Sequence, residues 1–356
     1  MAKTTVGLEV GSTGVKLVEL IYRGKEYQLK SLGLAQFPLH KEGVDYIREE
    51  GLIVHLIKGL IQKYRVNKKR VVISVGGESV IIRRIKVPQM KTEELTQALK
   101  WEMEEYIPYP VNEVTFGFHI LNKNLSESEN GEMSLILAAA RNEIIQSHLK
   151  IMRHAGISPI IIDVNPFALF NVFDHISSKD KEGIALLEIG HRNTDLVISE
   201  KDSPFLVRNI KLGGHQITQG IRDEFNTSYA EAEKLKKSYG LMEEEGKVSR
   251  ESEESVKVDR IIRKSLNNLV NEIARSFEYY TSNREGALVK KIVLSGGGSL
   301  LKNIDKFLAE QLGISVEIIN PFKNIIYNSR DFPSELLSSL APLFSIPVGL
   351  ALREVS

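Results

Sequence analysis

Two short stretches of this 356-residue chain carry the side chains best suited to holding a polyphosphate. VGLEVGSTGVKLVEL (Val6 to Leu20) and ALLEIGHRNTDLVIS (Ala185 to Ser199) align Glu9 with Glu188, Gly11 with Gly190, Leu17 with Leu196 and Val18 with Val197. In each copy an alternating apolar run meets an acidic residue, a glycine turn and a second apolar run, which is the pattern of a β-hairpin. Unpaired N–H groups at such a tip form a nest that attracts phosphate oxygens. Two matching tips suggest a clamp on one polyphosphate.

A third cluster strengthens this reading. Ile292-Val293-Leu294-Ser295 has the composition of a buried strand and runs into Gly296-Gly297-Gly298, then into the helical stretch Leu300 to Gln311. Glycine permits close backbone approach, and a helix N-terminus offers free N–H donors and a partial positive charge. One glycine-rich turn is equally well an ordinary loop. Three in this order point to a nucleotide.

Other chemistry finds little support. The eight histidines show no HExxH or other paired metal-ligand spacing, and the chain has no GxSxG elbow, Walker A loop or GxGxxG fingerprint. Zero cysteines exclude disulfides, thiolate nucleophiles and Cys-ligated zinc. A net charge of +1, from 47 basic and 46 acidic residues, gives no global field that would draw nucleic acid or anionic lipid. The longest apolar stretches, such as Ser134 to Ala140 and Leu343 to Leu352, fall short of the roughly 20 residues of a membrane span. No basic, apolar, small-residue pattern is read ahead of the first strand, so no signal segment is expected. The expectation is a soluble, cytoplasmic α/β protein that meets a membrane only through a partner.

The elements that must position these motifs follow from periodicity. Strands near Val6 to Val10, Val15 to Tyr22 and Tyr27 to Pro38 form a meander, followed by an amphipathic helix over Val44 to Tyr64 and a strand at Val71 to Val75. From Ser79 to Gly156 the pattern reads as a separate β-α-β-β-α module. Its first helix repeats Leu95, Ala98, Leu99, Met103 and Tyr106 and stops at Pro108 and Pro110, and its only tryptophan, Trp101, is expected to pack within the module. Its second helix ends at Gly156, well placed for a C-cap. Asn122 to Glu132 reads as a polar hairpin loop. Lys211-Leu212-Gly213-Gly214 opens a helix at Gln216 to Phe225, and Ala230 to Tyr239 makes a charged helix ending at Gly240. Met242 to Val258, dense in Glu, Ser and Lys, reads as a surface excursion before a helix at Arg260 to Asn283. A short helix after Pro347 is placed to return to the first domain.

Two hairpin phosphate loops with an acid in each, a Gly-Gly helix start and a late strand-glycine-helix unit resemble the actin/Hsp70/FtsA fold. The resemblance implies an actin-like ATPase fold of two domains around an ATP (or ADP) cleft. Glu9, Gly11, Ser12, Thr13, Gly14 and Lys16 then resemble the first phosphate loop, with Lys16 as the cation on the phosphates. Glu188, Gly190, His191, Arg192, Asn193 and Thr194 resemble the second. Gly213, Gly214, Glu233 and Lys236 resemble the ribose and adenine contacts, and Gly296, Gly297 and Gly298 the adenosine motif. Glu9 and Glu188 would hold Mg²⁺ through water.

The chain is more specifically similar to the PilM family of type IV pilus assembly. The residues that carry this are VIIRRIKVPQM (Val80 to Met90), WEMEEYIPYP (Trp101 to Pro110), IDVNPFAL (Ile162 to Leu169), KLGGHQIT (Lys211 to Thr218), LSGGGSLLKNI (Leu294 to Ile304) and VGLALR (Val348 to Arg353), in order along the chain. The resemblance implies a first domain of residues 1–78, 157–181 and 345–356, an inserted subdomain at 79–156, and a second domain at 182–344 with an excursion at about 224–284. It implies a cytoplasmic adaptor on the inner face of the inner membrane that captures the N-terminal cytoplasmic tail of the membrane protein PilN, in a groove between the inserted module and the first domain. It extends the partners to pilus motor ATPases, the platform protein and self-association.

One departure from the wider superfamily concerns the acids: Glu stands at both positions where Asp is usual. The longer side chain moves each carboxylate by about an ångström, a scale on which transition-state positioning is sensitive and binding less so. Slow ATP hydrolysis is therefore expected at most. Two other classes stay open at this point, an ATP-hydrolysing actin-like filament protein and a superfamily small-molecule kinase.

Overall fold

The computed structural model describes residues 3–24, 26–38, 49–121, 131–177, 183–200, 203–243, 252–284 and 287–353. The strands β1 (Lys3–Gly11), β2 (Gly14–Arg23) and β3 (Glu26–Gln36) form the expected meander, and α1 (Glu50–Tyr64) follows. The expected start of that helix, 44–48, lies outside the described residues. Next come β4 (Val71–Val75), β5 (Val80–Pro88), α2 (Thr92–Tyr106), β6 (Val114–Ile120), β7 (Glu132–Arg141), α3 (Asn142–His154), β8 (Pro159–Val164) and α4 (Asn165–Ile176). The second half holds β9 (Ile184–Ile189), β10 (Thr194–Glu200), β11 (Ser203–Ile210), α5 (Gly214–Phe225), α6 (Tyr229–Tyr239), α7 (Glu253–Asn283), β12 (Lys291–Ser295), α8 (Ile304–Leu312), β13 (Ser315–Ile318), β14 (Ile325–Ile326), α9 (Ser334–Leu340) and α10 (Ser345–Ala351).

Two sheets repeat one plan. The first has the order β14-β3-β2-β1-β4-β8 and the second β11-β10-β9-β12-β13. In each, a hairpin and its third strand pair antiparallel, and the first hairpin strand then continues into parallel neighbours. Parallel strands buried on both faces read as near-continuous apolar runs, and β4 (VVISV) and β12 (KIVLS) do so. The carboxyl ends of parallel strands are where α/β sheets place ligands. Glu9, Glu188 and Gly296 all lie at such ends.

The six-stranded sheet is sealed by α10, which lies against α4 and β1. A Cβ at Gly7 would sit 1.9 Å from Pro347 O, and one at Gly349 would sit 1.8 Å from Ala168 O. Only glycine permits this approach, so the C-terminal helix returns to the first strand as expected. The helical run Ser334–Ala351 is long and apolar enough to cross a membrane, but 61% of it is buried inside the protein. It reads as a core element.

The three-stranded sheet β5-β7-β6 with α2 and α3 forms the β-α-β-β-α unit. α3 ends as expected at Gly156, whose φ is +74 and which is followed by a bond from Ile157 N to Met152 O. Residues 122–130 of the expected hairpin loop lie outside the described residues.

Two expectations are corrected. Trp101 is 86% exposed, because Leu95, Leu99 and Met103 form the buried stripe of α2 and two residues of helix rotate Trp101 to the opposite side. α7 starts at Glu253, inside the expected excursion: Ser252 caps it by accepting from Ser255 N, with Glu253 and Glu254 in the first turn and Val258 buried. Residues 244–251 lie outside the described residues.

Candidate functional site

The site is built on the two hairpins. In the first, Glu9 stands opposite Lys16 across the β1–β2 ladder, and Lys16 Nζ donates to Glu9 Oε1 at 2.8 Å. Both residues are buried, at 6% and 8% exposure, and Glu9 Oε2 has no hydrogen-bond partner. In the second, the residue opposite Glu188 is Asp195. Asn209 Nδ2 donates to Asp195 Oδ1 at 2.7 Å. Burial pushes the Glu188 carboxyl up to about 8; nearby Lys16 opposes this, and Asp195 and Glu9 add to it. Burial also pushes Asp195 up to about 6, against the Asn209 hydrogen bond.

The loops close around these acids. Gly190 N donates to Asn193 O at 2.9 Å, which makes the second tip a tight turn. Gly214 N donates to Gly190 O at 3.0 Å and His215 N to His191 O at 2.7 Å, so the Gly213-Gly214 turn sits directly on that tip. Thr194 Oγ1 donates to Leu212 O at 2.8 Å and fixes the same junction. Gly296, at φ +83, brings the third glycine cluster against β9: a Cβ there would meet Glu188 Oε1 and Ile189 O, each at 2.5 Å. Gly298 would meet Ile189 Cγ2 at 2.2 Å, whereas Gly297 is exposed and would meet only Leu343 Cδ2 at 3.6 Å. In the first tip, Thr13 O accepts from Phe37 N, Ser12 is half-buried and Thr13 exposed; Gly11 and Gly14 face each other across the turn.

Beside the Gly213-Gly214 turn, α5 and α6 present a polar cluster. Lys236 Nζ donates to Glu233 Oε2 at 2.5 Å, Thr218 Oγ1 at 2.8 Å and Gly214 O at 3.2 Å. Burial lowers the Lys236 ammonium, with Glu233 opposing; burial would raise Glu233, but Lys236, Thr218 and Lys237 together hold it below the ordinary value. His191, His215 and Tyr229 form an aromatic wall there, with His215 Nδ1 3.0 Å and His191 Nε2 3.4 Å from Tyr229 Oη. Burial, then His215 and Lys236, push His191 down to about 4. Both phosphate-loop and base-side candidates are therefore in one cleft. Arg192 is exposed at its rim.

Sequence reasoning missed Asp195, Asn209, Thr218, His215 and Tyr229. Asp195 had a signal: it occupies the position in the second repeat that Lys16 occupies in the first. The others lie on β11, α5 and α6, outside the two aligned hairpin segments. Among the described residues no three His, Asp or Glu side chains cluster as a metal cage. The orphaned Glu9 Oε2 and the acids Glu188 and Asp195 nevertheless fit Mg²⁺, which takes one or two carboxylates with waters and phosphates rather than an all-protein cage.

Two sheets of one plan, with hairpin tips and glycine turns meeting at their carboxyl ends, define an actin-like ATPase fold. Comparison with known proteins agrees. The sequence model of the family "Type IV pilus assembly protein PilM" matches residues 7–355, and the chain belongs to that family. A solved PilM-PilN type IV pilus biogenesis complex contains a chain 32% identical, covering 98% of each chain with a TM-score of 0.83. Cell division protein FtsA of Enterococcus hirae is 24% identical over 355 residues, 90% of this chain and 79% of that protein. A structure of MreB 5 of Spiroplasma citri bound to AMPPNP, 16% identical with 98% and 94% coverage and a TM-score of 0.51, shares the fold.

Proposed function

We propose that this chain is a nucleotide-regulated adaptor of type IV pilus assembly. It binds Mg-ATP (or ADP) between the hairpins and captures the N-terminal cytoplasmic tail of a PilN-like inner-membrane protein. The tail lies between the inserted module and the first domain, so the chain sits on the inner face of the inner membrane through its partner and links it to cytoplasmic motor components. The observation that carries the nucleotide reading is the convergence of Glu9, Lys16, Glu188, Gly190, Gly214 and Gly296 on one cleft. The partner reading rests on family membership and on the PilN-bound relative. An extended peptide in a groove gains main-chain hydrogen bonds and a few side-chain pockets. ATP regulates capture to the extent that it binds the peptide-competent state better than the other.

Micromolar affinity for nucleotide needs about 8 kcal/mol, within reach of several charge-assisted hydrogen bonds of roughly 1.5 to 3 kcal/mol each. Lys16 would supply the cation, and one or two of Glu9, Glu188 and Asp195 would supply carboxylates toward Mg²⁺, which would neutralise phosphate charge there. His191, with a pKa of about 4, is a weak base for activating water. One observation favours a second, hydrolytic reading: Asp195, at about 6, lies nearer the range that suits a general base.

The test is calorimetric titration of the protein with a synthetic PilN-like tail, with and without Mg-ATP. Gly297→Asp serves as a nucleotide-blind form, because the space at Gly297 tolerates a side chain while its carboxylate would repel the nucleotide. Saturable tail binding whose affinity changes with Mg-ATP in the wild type and not in Gly297→Asp is the expected result. No tail binding in either state would refute the adaptor reading.

A further inference from the structure

A second cleft lies between the three-stranded and the five-stranded sheets; its smaller cavity reaches Asp195 and Asn209 of the hairpin site, and its larger cavity includes none of the hairpin-site residues. β5 ends one sheet and β11 ends the other, and neither has a ladder partner on its outer side among the described residues. The two edges run past one another antiparallel: a cavity of about 730 Å³ is lined by residues 82–86 and 204–208, and a smaller one of about 360 Å³ by residues 80–83 and 207–211. Where they cross, buried Ile82 and half-buried Val207 belong to one apolar cluster. Beyond that crossing the edges stand open.

The larger cavity is strongly basic. Arg83, Arg84 and Lys86 of β5, Arg208 of β11, and Arg275 and Arg284 line it, and no acidic residue does. The acids behind it are shared. Glu200, 6% exposed, accepts from Arg84 at 2.6 Å and pairs with Arg284. Glu272 holds Arg208 at 3.2 Å and Arg275 at 2.6 Å. Glu132 lies 3.9 Å from Lys86, both exposed. Six cations against these three carboxylates leave an excess of three positive charges. The Arg84 and Arg284 guanidinium groups lie over the Phe205 ring, at 5.3 and 6.0 Å, which fixes an amphipathic wall.

We propose that this cleft binds an extended acidic segment of a protein partner as a strand added to the β5 or β11 edge. Exposed edges present a row of unpaired N–H and C=O groups, and peptide recognition by strand addition uses them for affinity while side-chain pockets set specificity. At about 3.3 Å rise, 4.8 Å strand spacing and 10 Å sheet thickness a strand residue fills roughly 160 Å³, so the cavity takes about four or five residues. Alternate acidic side chains would meet the cations and alternate apolar ones would meet Phe205, Ile85 and the exposed Tyr279. The competing explanation is that Arg83, Arg84 and Lys86 only guard the edge against pairing between molecules.

Fluorescence anisotropy of the full chain with a labelled, N-acetylated alternating Glu-Val octapeptide separates these readings. Expected are saturable binding that weakens with salt and a loss of at least about tenfold in Arg83→Glu/Lys86→Glu. Both residues are exposed, so the variant keeps its fold. The same peptide N-methylated at alternate residues keeps its charge and loses ladder donors, and is expected to bind at least about tenfold more weakly. Equal binding of the methylated peptide, or its displacement by inorganic triphosphate as readily as by unlabelled peptide, would leave a general anion site and overturn strand addition. Absence of saturable binding would leave only edge protection. The PilN-like tail is not expected to compete with this probe, so the two docking proposals fail independently.

Discussion

The two hairpins share strand order, register and a glutamate at the same step, yet they differ at the residue facing that glutamate. Lys16 faces Glu9 in the first; Asp195 faces Glu188 in the second. One substitution of sign separates a neutral, hydrogen-bonded pair from two acids whose burial favours their protonated forms. A duplicated scaffold can therefore carry unlike halves. In the proposed nucleotide site the first hairpin would offer Lys16 to phosphate beside Glu9, and the second would offer only carboxylates, toward a counter-ion. Lys16 also reaches Glu188 electrostatically, which couples the halves.

The largest expected effect comes from removing the cation. Lys16→Met leaves Glu9 buried without its partner, and breaking a buried pair on one side costs about 3 kcal/mol or more. Urea unfolding at neutral pH should show this loss. If Lys16→Met unfolds at the wild-type midpoint, the first hairpin is not held by its ion pair.

The second hairpin should show itself in pH. Between the ordinary carboxylate value and about 8 the folded chain keeps a proton on Glu188 that the unfolded chain has released, so stability falls as pH rises through that window. Asp195 adds the same sign between its ordinary value and about 6. The Glu188 shift alone corresponds to up to about 5 kcal/mol; Glu188 is partly exposed, so a decline of about 2 kcal/mol between pH 5 and 8 is expected without nucleotide. Glu188→Gln should flatten most of it. A wild-type profile that rises over this range would contradict the buried-acid description.

A smaller effect is expected at the tips. Arg192 returns a cation to the second hairpin at the place where the first has Thr13. Arg192→Ala should weaken ATP binding about threefold, and less at high salt, as an exposed charge does. Thr13→Ala should leave affinity unchanged in the same titration. Equal losses in both would mean that the tips are not distinguished by charge.

Most of this architecture was legible because alternating apolar runs and glycines repeat. Val6 to Leu20 and Ala185 to Ser199 announce the hairpins, and Gly296 to Gly298 the turn that packs on Ile189. The site was legible where residue type and position coincide, as at Lys16, Glu9 and Glu188. Asp195 escaped because an acid in an otherwise apolar strand becomes informative only once the Lys16 ladder position is set beside it. Thr218, His215 and Tyr229 escaped because α5 and α6 bring them to the cleft by tertiary packing. Trp101 misled because large aromatic residues favour burial, whereas its helical phase, set by Leu95, Leu99 and Met103, points outward. The start of α7 was hidden by a charged composition that masks a Ser252 cap.

The division of labour between the hairpins is tested most directly by titrating Lys16→Gln and Asp195→Asn with ATP, with and without Mg²⁺. Lys16→Gln is expected to lose affinity in both conditions, and Asp195→Asn to lose only the gain that Mg²⁺ gives the wild type. Equal losses in the two variants, or wild-type affinity in Lys16→Gln, would contradict that division.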